Sequence, residues 1–244
     1  MVPIFIIVKD RLEVLKKTIQ SFESSIKTPF EIVIHDNNST YEPTIDYLKE
    51  LEKQGKKVYR NKKISKNNVE ELHSVRESIN KHKSNSKYYV VTDPDIELDN
   101  VRGDILVFYA FILNNFKKFQ VVGPQLRIDD IPDYYLLKKE VIARHSKLWN
   151  KKSLKVNFIY RGENFRAVKY AIDTTFGMYR NGYVFKRLSK GVRTFSPYSA
   201  RHLDWYIDPN KLTDDALYYI NMKDRLRLKM GHWSTEKLIK KAIG

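Results

Sequence analysis

The first half of the chain alternates short apolar runs with amphipathic stretches, and this alternation limits the available folds more than any other feature. Runs at residues 4–8, 31–35, 57–59, 88–92 and 120–122 have strand length and are rich in β-branched and aromatic residues. Between them, residues 12–24 place Leu12, Leu15, Ile19 and Phe22 on one face at helical spacing. Residues 41–54 and 69–82 behave similarly, with Leu72, Val75 and Ile79 as the buried stripe of the second. Strands that alternate with helices predict a doubly wound α/β domain, with a mostly parallel central sheet flanked by helices. A chain of 244 residues is expected to form one such domain, 1–244, with 1–125 as its ligand-binding half and 126–244 carrying the more variable half and the C-terminal helices.

The order of elements is less regular after Gly123-Pro124. Asp129, Asp130, Pro132 and Asp133 mark a loop, residues 134–144 have helical character, and a strand is expected over 174–179, ended by the turn dipeptide Asn181-Gly182. Ser196-Pro197 opens another loop, and Thr213-Asp214-Asp215 reads as a helix start, the helix stopping near Gly231. The apolar run behind the N-terminus has no basic segment before it and is too short for a signal peptide or a span, so it is expected to be a buried first strand. No other window approaches the roughly 20 apolar residues of a spanning helix, so any membrane contact is expected to be peripheral. The formal charge of +16 favours anionic partners. Without cysteine there is neither a disulfide nor a thiolate metal site, so a metal must be held by oxygen and imidazole, and the expected location is cytoplasmic.

Chemistry is concentrated where Tyr88-Tyr89-Val90-Val91-Thr92 runs into Asp93-Pro94-Asp95. Residues two apart in extended chain point to the same side, so both carboxylates are expected to face one site at the carboxyl edge of the sheet, where open α/β sheets bind ligands. Pro94 fixes its own φ and biases Asp93 toward extended geometry. Paired hard oxygen ligands suit Mg²⁺ or Mn²⁺ bridging to a diphosphate. An isolated Asp-x-Asp is more often a strand-end cap, and the apolar fourth strand in front of this one is what favours the metal. A second acidic strand end, His35-Asp36-Asn37-Asn38-Ser39-Thr40, offers Asp36 as acceptor for a nucleobase or ribose, or as a plain Asx turn. Asn61, Asn67 and Asn68 form a polar stretch after the third strand.

The strand ending in Val8-Lys9-Asp10-Arg11, the Asp36 turn and the Thr92-Asp93-Pro94-Asp95 strand end together resemble, in order and spacing over about residues 3–125, the nucleotide-binding half of GT-A-fold glycosyltransferases, especially family 2-like members. The resemblance implies a nucleotide-diphosphate sugar donor, most often a UDP-sugar, and a divalent metal on the Asp-x-Asp element. It implies that Val8 and Arg11 line the nucleotide, Asp36 holds the base, Asp93 the ribose or metal, and Asp95 the metal; Asn67, in the polar stretch after the third strand, is a further candidate donor contact, although most of that stretch reads as ordinary loop. The family's usual Glu-Asp pair, which supplies the general base, is not found.

Two segments compete for that base. Tyr198 to Tyr206 combines Asp204 with His202, Trp205 and Tyr206, a mixture suited to an acceptor sugar, and its alternative is a surface loop with a buried Trp anchor. Ile172-Asp173-Thr174 offers Asp173, whose alternative is a capping role. Gly231-His232-Trp233 offers His232 as a third metal ligand, although a lone histidine is more often structural. Residues 235–243 segregate apolar and basic positions on a helix that could rest on an anionic membrane or pack as a solvated terminal helix. The expected activity is transfer of a hexosyl or deoxyhexosyl unit to a hydroxyl of a glycan or lipid-linked acceptor. The alternatives are a nucleotidyltransferase, against which Lys9-Asp10-Arg11 lacks glycine, and a nucleic-acid-binding protein, against which the basic residues are scattered, so no nucleic acid is expected.

Overall fold

In a computed structural model that describes residues 1–61, 68–82, 84–150 and 155–226, strand β1 (Val2–Val8) is buried along all but its first residue. It lies between two parallel neighbours and is covered on both faces, which is why its sequence is continuously apolar and not alternating. Helix α1 (Leu12–Ser25), β2 (Phe30–Asp36), α2 (Glu42–Lys53), β3 (Lys57–Arg60), α3 (Asn68–Lys81) and β4 (Tyr88–Thr92) follow in the expected alternation. Next come β5 (Ile96–Glu97), α4 (Ile105–Asn115), β6 (Val121–Pro124), α5 (Lys138–Asn150), the hairpin of β7 (Lys155–Tyr160) and β8 (Glu163–Lys169), β9 (Gly177–Arg180), β10 (Gly191–Thr194) and β11 (Arg201–His202). A single 3-10 turn (Leu203–Tyr206) leads to α6 (Asp214–Leu226).

Nine strands form one sheet in the order β3-β2-β1-β4-β9-β6-β10-β8-β7. The first four are mutually parallel, β9 is inserted antiparallel between β4 and β6, and β10 runs parallel to β6 before the antiparallel hairpin closes the edge. The expected parallel core is therefore present, with antiparallel strands added from the second half. Alternation along β1 sends Ile4, Ile6 and Val8 to one face, against Leu15, Ile19 and Phe22 of α1, Leu48 of α2 and Ile112 of α4. Phe5 and Ile7 go to the other, against Val75 of α3, Tyr179 and Phe185. Helix α4 gave no periodic signal because Ile105, Leu106, Phe108, Tyr109, Ile112 and Leu113 bury most of its circumference, and a helix that is apolar nearly all round has no stripe.

Three expectations shift. The helix expected over 134–144 begins at Lys138, after turns in which Tyr135 bonds Pro132 and Lys138 bonds Tyr135, and the strand expected over 174–179 begins at Gly177, because Thr174 and Phe176 bond across the end of β4. Thr213 Oγ1 donates to the Asp215 carboxylate and does not cap the amides of α6. The expected stop near Gly231 and the amphipathic stretch 235–243 lie outside the described residues.

Buried His35 on β2 faces Ser78 Oγ across 2.8 Å, with 1% of its surface exposed, and burial lowers its pKa to about 4. The unfolded chain binds this proton more readily than the folded one, so stability is complete above about pH 6.5 and falls as pH drops from 6.5 toward 4. His35→Gln should flatten the pH dependence of chemical-denaturation stability in that window by on the order of 3 kcal/mol, and an unchanged slope would show that another group sets it.

Candidate active site

The end of β1 and the end of β2 are stitched by one carboxylate that sequence reading passed over. Asp10, fully buried with φ of 51°, accepts the amide of Tyr41 at 2.8 Å and that of Thr40, while its own amide donates to Ser39 Oγ at 3.0 Å. Asp36 Oδ1 accepts the Ser39 amide at 2.9 Å in an Asx turn, and burial pushes its carboxyl pKa above the ordinary value. Val8, which ends β1, is 1% exposed. Asn61 bonds Asn37 Oδ1 at 3.2 Å, whereas Asn67 lies outside the described residues.

At the end of β4 the chain does not stay extended. Pro94 and Asp95 form a turn, so the two-residue alternation expected to aim both carboxylates alike does not apply. Asp93 accepts a short hydrogen bond from Thr174 Oγ1, and its amide donates to the Thr174 carbonyl at 2.8 Å. Asp173, beside Thr174, faces Arg187 Nε at 3.4 Å and keeps 40% of its side chain exposed. Asp95 turns instead toward β11. Its carbonyl accepts the Leu203 amide at 2.7 Å, and β5 pairs antiparallel with β11 so that Ile96 lies opposite His202.

This pairing gathers Asp95, His202 and Asp204, whose ligand atoms all lie within 4.8 Å of one another. His202 Nε2 is 3.7 Å from Asp95 Oδ2, and the imidazole stacks on Trp205 at 5.0 Å and 11°. Asp95 Oδ1 and His202 Nδ1 are both buried without a hydrogen-bond partner. Such orphans are costly in a folded interior, and these two belong to residues whose donor atoms converge closely enough to hold an ion. Two carboxylates and an imidazole are a competent donor set for Mn²⁺ or Mg²⁺, so the residues fit the ion that the sequence implied. Burial, and then the like charge of Asp95, hold the Asp93 carboxyl well above its usual pKa. Asp95 is likewise raised by burial, opposed by His202. A cation would relieve both.

Asp204, 6% exposed, is also clamped by Arg11: Nη2 makes a close contact to Oδ1, and Nη1 donates to Oδ2 at 3.4 Å. Burial opposes the charge of Arg11, but Asp204 outweighs it and holds the guanidinium above its ordinary pKa. The ring of Tyr219 on α6 lies 5.1 Å from the guanidinium carbon. Helix α6 reaches two further points nearby. Tyr218 packs on Tyr41 at 4.8 Å, and Asp215 Oδ2 accepts the Glu13 amide in the first turn of α1 at 3.1 Å. That helix has no side-chain cap of its own from Arg11, so α6 supplies it.

The structure thus brings Asp95, Asp204 and Arg11 together, sets Asp93 and Asp173 beside them at the end of β4, and keeps Val8 and Asp36 at the neighbouring strand ends. His232 lies outside the described residues. Trp205 is 1% exposed and backs His202, so it offers no stacking face to an acceptor. Sequence reading did not place His202 beside Asp95, although His202-Leu203-Asp204 repeats the one-residue spacing of Asp93-Pro94-Asp95. That echo was the available signal.

No protein-family model and no curated protein matches the chain. Solved structures do. The chain is similar to a mannosyltransferase of Pyrobaculum calidifontis in complex with GDP-Man and Mn²⁺, at 10% identity and TM-score 0.52, covering 99% of this chain and 68% of that one. It also aligns with S. aureus TarS 1–349 in complex with UDP-GlcNAc, at 11% identity and TM-score 0.48, over 100% and 72%. Against a longer TarS structure the match is 14% identical with TM-score 0.39, covers 52% of this chain and spans 22% of that one. The chain has the GT-A fold.

Asp215→Ala should cost about 1 kcal/mol in urea unfolding by removing the cap on α1. Thr213→Ala, which removes only the hydroxyl that steadies Asp215, should cost less, and equal losses would argue against capping.

Proposed function

We propose that the protein is a metal-dependent glycosyltransferase that moves a sugar from a nucleotide-diphosphate sugar, with a UDP-sugar as the first candidate, to a hydroxyl of a glycan or lipid-linked acceptor. The observation that carries this reading is the Asp95–His202–Asp204 cluster, in which Asp95 Oδ1 and His202 Nδ1 lack hydrogen-bond partners, at the carboxyl end of β4 in a GT-A fold. The structural neighbour solved with GDP-Man and Mn²⁺ agrees with it in chemistry. A divalent ion held by Asp95, Asp204 and His202, with Asp93 near, would neutralise the charge that develops on the departing nucleotide diphosphate.

The chain's own residues then divide the remaining work. Asp10 and Asp36 fix the two loops that shape the nucleotide end, and Val8 closes its floor. Asp204 is committed to Arg11 and to the cluster, which leaves Asp173 as the general base of choice. Its half-exposed carboxylate, beside Asp93 and Thr174, is placed to accept the proton of an acceptor hydroxyl. Arg187 at 3.4 Å orients it. Among the described residues no helix is long and apolar enough to cross a membrane. Contact with a lipid-linked acceptor would therefore draw on the chain's formal charge of +16 and peripheral attraction to anionic headgroups.

A thermal-shift panel of nucleotide-sugars with and without Mn²⁺ tests this reading, since a selective ligand stabilises the native state by mass action. One nucleotide-sugar should raise Tm only with metal present, and Asp95→Ala should lose that shift and at least about 100-fold in transfer rate while keeping its fold. A metal-independent response, or near-normal turnover by Asp95→Ala, would remove the proposal. Asp173→Asn should lower kcat by about 100-fold or more with donor binding intact.

A further inference from the structure

We propose that Arg11 is a built-in counter-cation of the metal site: it holds Asp204 while the metal is absent, and metal entry frees its guanidinium for the donor's diphosphate. The inference rests in its second half on the glycosyltransferase reading. Its first half needs only the charges of the site.

Arg11 is always ionised, and its side chain and that of Asp204 are each 9% exposed. The pair lies where Asp95, Asp204 and His202 converge, so the guanidinium sits in the same negative field that a divalent ion would use. Two cations that draw on the Asp204 carboxylate disfavour each other, and in a buried site the penalty is larger than at a surface. Arg11 therefore makes metal binding weaker when the metal arrives alone. Once Asp204 serves a metal, the guanidinium loses its anion, and a buried unpaired charge is costly. It needs a new partner of matching geometry.

A diphosphate supplies one, because the planar fork of arginine binds phosphate oxygens in pairs. Arg11 stands at the junction of β1 and α1, at the carboxyl edge of the sheet where open α/β folds bind ligands, so only the side chain has to turn. The Tyr219 ring gives the guanidinium a face to slide on during that turn. Metal and donor thereby support each other: each relieves a charge that the other leaves unbalanced. This assigns Arg11 a positioning role that a plain nucleotide contact would not have.

The test is calorimetric titration of the full chain with Mn²⁺ alone, and with UDP at saturating Mn²⁺, for wild type and Arg11→Met. Arg11→Met should bind Mn²⁺ alone about tenfold tighter than wild type and bind UDP about tenfold more weakly. Arg11→Gln, which keeps hydrogen-bonding capacity without charge, carries the same expectation and replaces the Met variant should that one fail to fold. Mn²⁺ affinity that is equal or lower in the neutral variants overturns the counter-cation, since a merely structural arginine would only loosen the site. Unchanged UDP affinity overturns the release to diphosphate. Wild type that binds no Mn²⁺ sinks the metal reading itself, which separates that failure from failure of this inference.

Discussion

The cluster at the end of β4 is held by a very small piece of sheet. Strands β5 and β11 are two residues each, and the Leu203 amide donating to the Asp95 carbonyl at 2.7 Å is the bond that lays His202 and Asp204 beside Asp95. A two-stranded ribbon this short is not stable by itself. It survives because α1 reaches under it with polar groups: Thr18 Oγ1 donates to the Pro94 carbonyl at 2.7 Å, Ser21 Oγ accepts the Leu98 amide at 3.2 Å, and Ser25 Oγ donates to the Leu98 carbonyl at 2.7 Å. On the ribbon's far strand, Arg201 is fixed by Asp130 and Asp99, each at 2.7 Å. Helix α1 thus spends one stripe on the sheet and an adjacent polar stripe on the ribbon that carries the candidate site.

That arrangement explains how acidic groups can be buried so close together. Asp93, Asp95 and Asp204 would repel one another in a low-dielectric interior, and each is given a separate compensation. Thr174 donates to Asp93, His202 opposes the strain on Asp95, and Arg11 neutralises Asp204. The compensation is incomplete where Asp95 Oδ1 and His202 Nδ1 have no partner. Incomplete satisfaction of buried polar atoms is tolerated where a ligand completes it, and two of the unpartnered atoms of this fold fall on residues of the Asp95–His202–Asp204 cluster.

Which parts were legible from sequence follows from how each part is encoded. Strands β1 to β4 and helices α1 to α3 could be read because their pattern is local: apolar runs of strand length and stripes at helical spacing. Asp95 could be read because it ends such a run. The residues that complete its surroundings could not be placed, since β11 is too short to carry a periodic signal and its register with β5 is set by tertiary contacts. Asp204 was singled out for its chemistry but cast only as a base, because nothing in the local sequence announces the arginine that meets it from the other end of the chain. Asp10 was invisible for a similar reason: its partners, Thr40 and Tyr41, belong to a different loop.

The N-terminus of α1 bears on what kind of phosphate site this can be. Helix N-termini attract anions through their unpaired amides and the helix dipole, and glycine-rich loops exploit this by laying a ligand's phosphates directly against them. In this chain the Glu13 amide is already bonded to Asp215, which is 3% exposed, and Lys9-Asp10-Arg11 contains no glycine that would let a phosphate approach the backbone. The protein has filled that position with a carboxylate of its own. A diphosphate entering beside β1 would have to find its countercharge elsewhere, and the groups within reach are the proposed cation site at Asp95, His202 and Asp204 and the guanidinium of Arg11. The same carboxylate that closes one phosphate-binding route thus argues for a donor held through metal and arginine, and against the nucleotidyltransferase alternative.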